Sequence, residues 1–308
     1  MVTLVFQTTG LIQLESEIKK EKINSCLIYY NDDHIFEYYK NEESKNRICK
    51  VNSVTKSVLS IVVGIAIDRN EMESVHTPIS KYYPSIENLK NEITIEHLLT
   101  MTAGFEWNES GPFGSLPVDD DWVQFVLNKN LTSKPGEKMV YSSGCSQLLS
   151  DIMQKSTGKK LSEYAKEVLF DPLGITEYFW QEDGNGSSVG GFGLMLLPKD
   201  MLKLGILMMN KGKFQNSQIV SESWVTTSTS NKCFTDEKTG AYSYHWWNIV
   251  NESVGKANSD IFLAIGFGGQ MIFVNPTKKY VVVFTADLSK QTMKTVRLFK
   301  KYIMNQFT

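Results

Sequence analysis

Residues 53–68 follow a helical pattern in which nearly every position beyond the first turn is apolar. A surface helix carries one apolar stripe, whereas a helix that is apolar on all sides lies in the middle of a protein. The sequence therefore predicts a buried helix over residues 53–68, with the other elements packed around it.

The β-prone segments occur near the two ends of the chain. Residues 26–30 and 34–39 flank the turn-prone triplet Asn31-Asp32-Asp33, which is typical of a hairpin. Towards the C-terminus, further strand patterns cover residues 244–250, 261–264, 271–274 and 280–285. The last two are separated by an Asn-Pro-Thr-Lys-Lys segment that suits a hairpin loop.

Helical patterns dominate the middle of the chain. They cover residues 11–22, 94–99, 146–155, 161–169 and 198–210, and Val296, Phe299 and Ile303 form a stripe on a C-terminal helix. The economical arrangement is an α/β (α+β) fold: one antiparallel sheet built from both chain ends, flanked by helices, with an inserted and mostly helical region. We expect a sheet domain formed by residues 1–69 and 190–308, a helical domain formed by residues 70–189, and an active site between them.

Composition limits the partners of this chain. Its 308 residues are 42% apolar and 21% charged with a net charge of −2, so neither nucleic acid nor an anionic membrane is expected. No uncharged apolar stretch reaches the roughly 18 residues of a membrane span, and the N-terminus lacks the basic region of a signal peptide. We therefore expect a cytoplasmic protein. The cysteines and histidines lack redox-pair or metal-ligand spacing, so no metal or cofactor is expected.

Ser53 and Lys56 stand at the start of the apolar helix. Their spacing of three residues puts both side chains on one helical face. Unpaired backbone N–H groups at a helix start stabilise a developing oxyanion, and a serine needs a proton-accepting partner to act as a nucleophile. An N-capping serine followed by a lysine that extends into water would have the same spacing. The other hydroxyls of this helix start, Ser57 and Ser60, have no lysine three residues on.

Two further segments can carry chemistry. Tyr141 follows a Lys-Pro-Gly-Glu turn and precedes a helix, so its phenol can face a cleft and shuttle protons. Ser143, two residues on, faces the same way if the backbone is extended; the alternative is an ordinary core tyrosine. Residues 266–270 read Gly-Phe-Gly-Gly-Gln between strand patterns, and glycines within strands mark close approach of the backbone to another group. A backbone N–H there can bind an oxyanion, although a bulge or hairpin is the alternative.

In this order, the segments 53–56, 141–143 and 266–270 resemble those of the serine β-lactamase and penicillin-recognising superfamily, especially its class C-like branch of esterases, carboxypeptidases and amide hydrolases. Supporting segments at 94–105, 135–137 and 169–175 extend the resemblance over roughly residues 25–290. It implies a β-lactamase/transpeptidase-like fold, with Ser53 as acyl-enzyme nucleophile, Lys56 as its proton partner and Tyr141 as general base and acid. It also implies an oxyanion hole formed by the N–H of Ser53 and that of Phe267 or Gly268, and a substrate-binding role for Ser143.

One departure from the superfamily pattern bears on the substrate. The third motif is often Lys-Thr-Gly or His-Xaa-Gly, whereas this strand reads Gly-Phe-Gly-Gly and has no cationic side chain. A carboxylate such as that of a penicillin would lose its usual partner, which argues against efficient β-lactamase activity. A literal Lys238-Thr239-Gly240 occurs about two strands earlier, and carboxylate recognition returns if that is the true motif.

The sequence therefore predicts a metal-independent serine hydrolase that acts, through an acyl-enzyme, on an ester, amide or peptide bond of a small molecule or short peptide. One alternative is a non-catalytic binding or regulatory module with the same fold. Another is a penicillin-binding D-alanyl carboxypeptidase. The sequence predicts neither the natural substrate nor the oligomeric state.

Overall fold

The computed structural model describes residues 8–109, 116, 121–234, 240–249 and 260–307. The helices are α1 Thr8–Lys19, α2 Glu42–Asn46, α3 Val54–Asp68, α4 Ile95–Leu99, α5 Trp122–Leu127, α6 Ser143–Thr157, α7 Leu161–Ala165, α8 Pro198–Met209, α9 Glu222–Thr229 and α10 Lys294–Tyr302. The strands are β1 Ile23–Tyr30, β2 Asp33–Tyr39, β3 Cys49–Lys50, β4 Tyr178–Trp180, β5 Leu194–Leu196, β6 Lys213–Phe214, β7 Ser217–Gln218, β8 Cys233–Phe234, β9 Ala241–Tyr242, β10 Trp247–Asn248, β11 Phe262–Gly266, β12 Gln270–Asn275 and β13 Tyr280–Ala286.

The main sheet joins the two ends of the chain, as predicted. Its strand order is β2-β1-β13-β12-β11-β10-β9-β8, and all of its pairings are antiparallel. The N-terminal hairpin meets the C-terminal strand β13 in a register that places Ile28 opposite Val282. The predicted mixed fold, with one antiparallel sheet from both ends, is therefore confirmed.

Both faces of this sheet are covered. Alternate residues of β12 and β13 point to opposite sides, so Val281 and Val283 join the core beneath α3 and α8, while Val282 and Phe284 join the core beneath α1 and α10. On the second side Phe273 stacks on Phe299 at 4.0 Å between ring centroids. This double coverage explains why β13 is apolar throughout instead of alternating with polar residues.

Helix α3 occupies the centre of the larger core. Every residue from Val54 to Ala66 is buried, which confirms the prediction of a central helix. Gly64 lets the Trp224 ring approach, because a Cβ there would lie 2.3 Å from that ring. The larger core contains residues of both predicted domains, among them Val58 and Leu148, and the division at residues 69 and 190 stays a prediction. No helix in the described part of the chain is both long and apolar enough to cross a bilayer.

Two sequence-based boundaries were wrong in a way that affects the site. Helix α6 begins at Ser143, three residues before the predicted start. The strand predicted from residue 244 begins only at Trp247, because the preceding residues form a turn in which Ser243 N–H donates to Trp246 O at 2.8 Å. His245 has φ +60° in this turn, a conformation that the sequence does not predict because the aromatic neighbours of His245 favour a strand. Val250, the last residue of the predicted strand, lies outside the described residues.

Candidate active site

The segment Asn52-Ser53 makes the entry into helix α3. Asn52 has the left-handed φ of +49°, and Ser53 caps the helix with φ −68° and ψ −2°. The following N–H groups are used: Val54 donates to Val51 O at 3.2 Å and Thr55 donates to Asn52 O at 3.0 Å. Among the described residues, no acceptor faces the N–H of Ser53. Ser53 is thus half-buried at a positive helix end, with a free backbone donor beside its hydroxyl.

The ammonium of Lys56 lies one turn further and is buried, with 1% exposure. Its Nζ is 3.3 Å from Ser53 Oγ, 3.0 Å from Ser143 Oγ and 2.8 Å from the Gly191 carbonyl oxygen. These three oxygens fill the hydrogen-bonding positions of the nitrogen: an ammonium donates to all three, whereas the free amine donates to two and accepts from the third. The structure therefore brings Ser53, Lys56 and Ser143 together.

Ser143 is the first residue of α6 and links Lys56 to a carboxylate. Its hydroxyl donates to Glu109 Oε1 and its backbone N–H donates to Glu109 Oε2 at 2.9 Å. The indole of Trp107 donates to the same carboxylate at 2.6 Å. Because the proton of Ser143 is directed to Glu109, the hydroxyl oxygen is left to accept from Lys56.

The third partner of Lys56 comes from the loop at 183–191, which contains the predicted domain boundary between residues 189 and 190. A Cβ on Gly190 would lie 1.9 Å from Ser146 O, and one on Gly191 would lie 2.9 Å from Ser143 Cβ. Only glycines let this loop approach α6 so closely. That approach brings the Gly191 carbonyl to Lys56.

Tyr141 reaches Lys56 through the face of its ring. The Nζ lies 4.9 Å from the ring centroid, and the other neighbours of the ring are Trp247, stacked at 6.0 Å and 25°, and Tyr242, edge-on at 6.1 Å. Within the described residues, the Tyr141 hydroxyl makes no hydrogen bond to Ser53 or Lys56. The ring of Tyr141 is therefore adjacent to Lys56 and is held by aromatic contacts.

Strand β11 passes beside the entry into α3. A Cβ on Gly266 would lie 2.3 Å from the Val51 carbonyl oxygen, so this glycine permits direct backbone contact between the strand and the segment before Ser53. In the turn that follows, the Gly268 N–H donates to Thr292 Oγ1 at 3.0 Å. No described residue accepts from the N–H of Phe267, whose side chain is 58% exposed.

Comparison with known proteins assigns the family. The Beta-lactamase family model matches residues 28–299, which is most of the chain. This chain belongs to the Beta-lactamase family. The predicted superfamily is thereby confirmed.

Relatives of this family member include several hydrolases. The 6-aminohexanoate-dimer hydrolase of Paenarthrobacter ureafaciens is 23% identical over 310 residues, covering 92% of this chain and 77% of the relative. A family VIII carboxylesterase structure superposes with a TM-score of 0.77 and 17% identity, covering 97% of both chains. The class C beta-lactamase of Rhodobacter sphaeroides gives a TM-score of 0.75 with 17% identity, covering 96% of this chain and 98% of that one. The two structural likenesses show the fold.

The Lys-Thr-Gly sequence at residues 238–240 is only partly described, because Lys238 and Thr239 lie outside the described residues. Gly240 directly precedes β9, and β10 separates β9 from β11 in the sheet. The strand that contacts the entry into α3 is therefore β11, whose residues and following turn contain no lysine or arginine. In the described part of the chain, no group of three His, Cys, Asp or Glu side chains is arranged to hold a metal ion.

His245 is a residue of the site's interior that sequence reasoning missed. Its ring is buried against the carbonyl of Lys56, 3.1 Å from Nδ1, and the hydroxyl of Ser146, 3.4 Å from Nε2. Burial, together with the charge of Lys56, lowers the pKa of His245 to about 3. The surrounding segment, residues 242–247, is rich in aromatic residues and predicts a strand, so the sequence does not indicate a buried histidine bonded to the backbone of α3.

Proposed function

We propose that this protein is a serine hydrolase that forms an acyl-enzyme on Ser53 and cleaves an amide or ester bond of a small molecule or short peptide. The observation that carries the proposal is the position of Lys56 Nζ, 3.3 Å from Ser53 Oγ. The other two hydrogen bonds of Lys56 Nζ have a fixed direction. The Gly191 carbonyl can only accept, and the Ser143 hydroxyl must accept from Nζ because it donates its own hydrogen bond to Glu109. The third position faces the serine and is the one at which a proton can be exchanged.

In the first half of the reaction, Ser53 Oγ bonds to the substrate carbonyl carbon and the serine proton passes to Lys56 as its free amine. The carbonyl π electrons move onto oxygen, where the N–H groups of Ser53 and Phe267 stabilise them. Tyr141 donates its phenolic proton to the leaving group as the bond to that group breaks. Acyl-enzyme, lysine ammonium and phenolate remain.

In the second half, the Tyr141 phenolate takes a proton from a water molecule, and the hydroxide attacks the acyl carbon. The Ser53 oxygen leaves and recovers its proton from Lys56. The amine, phenol and serine are thereby restored, and no external base is consumed. The position of Lys56 against the Tyr141 ring supports this exchange, because ammonium and phenolate stabilise each other at short range.

One observation supports a substrate without a carboxylate at the β11 edge, and a second supports an amide. This strand and its turn contain no cationic side chain, so a β-lactam carboxylate has no partner there. The relative that aligns with 92% of the chain is named 6-aminohexanoate-dimer hydrolase, and two molecules of this amino acid are joined through an amide bond. We therefore propose acyclic amides or esters as the substrate class in preference to β-lactams.

Active-site labelling tests the proposal. Wild type should react with a fluorophosphonate probe and hydrolyse a nitrophenyl ester, and Ser53→Ala should lose both while keeping its melting temperature. Ser60→Ala is the matched control, because this buried hydroxyl on the same helix has no hydrogen-bond partner among the described residues. Labelling that persists in Ser53→Ala would refute the assignment of the nucleophile.

The two alternatives give different results in the same assays. A non-catalytic module would show no Ser53-dependent turnover of any ester or amide tested. A D-alanyl carboxypeptidase would form a stable adduct with a fluorescent penicillin, which we do not expect because β11 lacks a cation.

A further inference from the structure

The peptide unit between Phe267 and Gly268 is held at both ends. Its carbonyl oxygen, on Phe267, accepts from Asn52 Nδ2 at 2.6 Å. Its N–H, on Gly268, donates to Thr292 Oγ1 at 3.0 Å. Asn52 and Thr292, which are 240 positions apart in sequence, thus form hydrogen bonds to opposite ends of one peptide plane in the turn after β11.

We propose that Asn52 and Thr292 are positioning residues that fix the backbone N–H of Phe267 as the second donor of the oxyanion hole. The proposal rests on the function proposed above. The N–H of Gly268 is not available as the second oxyanion donor, because it is already bonded to Thr292. The N–H of Phe267 belongs to the preceding peptide, and no described residue accepts from it.

The turn needs such restraint because of its glycines. Gly268 and Gly269 have φ of +83° and +94°, and glycine adopts positive φ about as readily as negative φ. A donor preceding two glycines would rotate unless the next peptide were held. Oxyanion donors are effective only when they are oriented before the reaction, so that nothing must reorganise in the transition state.

Asn52 also ties this donor to the nucleophile. It stands immediately before Ser53 and adopts φ +49°, a conformation that asparagine tolerates better than most residues. One residue therefore both turns the chain into α3 and bonds to the turn that follows β11. The contact of Gly266 with Val51 brings the two backbones close enough for this bond.

We call the hydrogen bonds from Asn52 and Thr292 to the peptide between Phe267 and Gly268 the clamp, and paired variants test it. Thr292→Val removes the acceptor and keeps the shape, whereas Thr292→Ser keeps the acceptor. Asn52→Gly removes the amide but retains a residue that accepts positive φ, so backbone strain is not introduced. For each we would measure kcat and KM with a nitrophenyl ester, the inhibition constant of a boronic acid that forms a tetrahedral adduct, and the melting temperature.

Thr292→Val and Asn52→Gly should lower kcat roughly 10- to 100-fold, less than loss of a donor itself, with KM nearly unchanged. Boronic acid affinity should fall by a similar factor, and Thr292→Ser should recover most of both losses. A structural role alone would lower the melting temperature without this parallel loss.

Wild-type kcat and boronic acid affinity in both Thr292→Val and Asn52→Gly would overturn the clamp while leaving the hydrolase proposal intact, provided that turnover still requires Ser53. Absence of any Ser53-dependent turnover in wild type would instead overturn the proposed function and, with it, the clamp. Should Thr292→Val fail to fold, Asn52→Gly decides.

Discussion

The Nδ1 atom of His245 lies 3.1 Å from the backbone carbonyl oxygen of Lys56, inside the core. A carbonyl oxygen only accepts, so Nδ1 carries the proton and Nε2 is left to accept from the Ser146 hydroxyl. Ser57 in turn donates to the His245 carbonyl at 2.7 Å. One neutral imidazole residue thus joins α3, which carries the serine–lysine pair, to α6, which carries Ser143.

This burial predicts acid-sensitive stability. The pKa of His245 is about 3 in the folded protein against an ordinary value of 6.5, so between these values the unfolded chain binds a proton that the folded chain does not. The contribution is complete above pH 6.5 and is lost, at about 1.4 kcal/mol per pH unit, as the pH falls towards 3. Asparagine accepts the φ of +60°, so His245→Asn should fold and should lose less stability over this range than wild type.

Urea denaturation of both proteins at intervals between pH 7 and pH 4 measures this difference in slope. His34→Asn, which removes an exposed histidine, controls for loss of a titratable ring. Parallel stability curves for wild type and His245→Asn would show that His245 does not carry the acid sensitivity.

The ring of Tyr141 is held independently of its hydroxyl, by Lys56 on its face and by Trp247 stacked at 6.0 Å. Tyr141→Phe should therefore keep the fold and melting temperature but lower turnover of an activated ester by about 10²-fold or more, as loss of a general acid–base does. Steady-state kinetics measure this loss. Tyr242→Phe removes a phenol from the same aromatic cluster and is the matched control; equal turnover in wild type and Tyr141→Phe would remove Tyr141 from the mechanism.

The parts of the site that could be predicted from the sequence are those encoded by local spacing. Ser53 and Lys56 fall on one face because helix geometry dictates it, and the apolar residues of α3 dictate where that helix lies. The sheet from both chain ends likewise follows from the location of the β-prone segments. The location of each of these elements along the chain depends on its neighbours in sequence.

The remaining parts depend on tertiary approach and have weak local signals. Gly191 supplies a carbonyl from a loop whose only signal was a pair of glycines, and Glu109 reaches Ser143 from a polar loop 34 positions away. His245 was hidden because its positive φ occurs among aromatic residues that favour strands. None of these three residues has a spacing relationship to Ser53 that a pattern can detect.

Glu109 should influence turnover through Ser143. Glu109→Gln keeps the size of the side chain but removes the charge that receives the Ser143 proton, and a hydrogen bond to a charged group contributes about 1.5–3 kcal/mol. If that bond orients Ser143 in the transition state, kcat/KM should fall roughly 10- to 100-fold. Glu106→Gln, an exposed glutamate of the same segment, is the matched control.

A double-mutant cycle separates an indirect role of Glu109 from a direct one. Because Glu109 acts through the Ser143 hydroxyl, the double variant Glu109→Gln with Ser143→Ala should be no less active than Ser143→Ala alone. Additive losses would mean that the carboxylate acts by a second route, either through the Ser143 N–H and the Trp107 indole that it also binds or through its own contact with the reacting atoms.

The contact between Gly266 and the Val51 carbonyl sets how closely β11 approaches the start of α3. A Cβ at this position would lie 2.3 Å from that oxygen and 2.9 Å from Gln270 Cβ, and a backbone oxygen cannot move aside as a flexible side chain can. Gly266→Ala should therefore separate the strand from Ser53, destabilise the protein by about 1–3 kcal/mol and displace the oxyanion donor.

The decisive measurement compares kcat at a temperature where both proteins are fully folded. We expect Gly266→Ala to lose more turnover than Gly10→Ala, whose added methyl would meet only the flexible end of Gln306 at 3.2 Å. Unchanged kcat in Gly266→Ala, despite a lowered melting temperature, would show that the strand can withdraw without affecting the reaction. The backbone contact would then serve folding and not the stabilisation of the oxyanion.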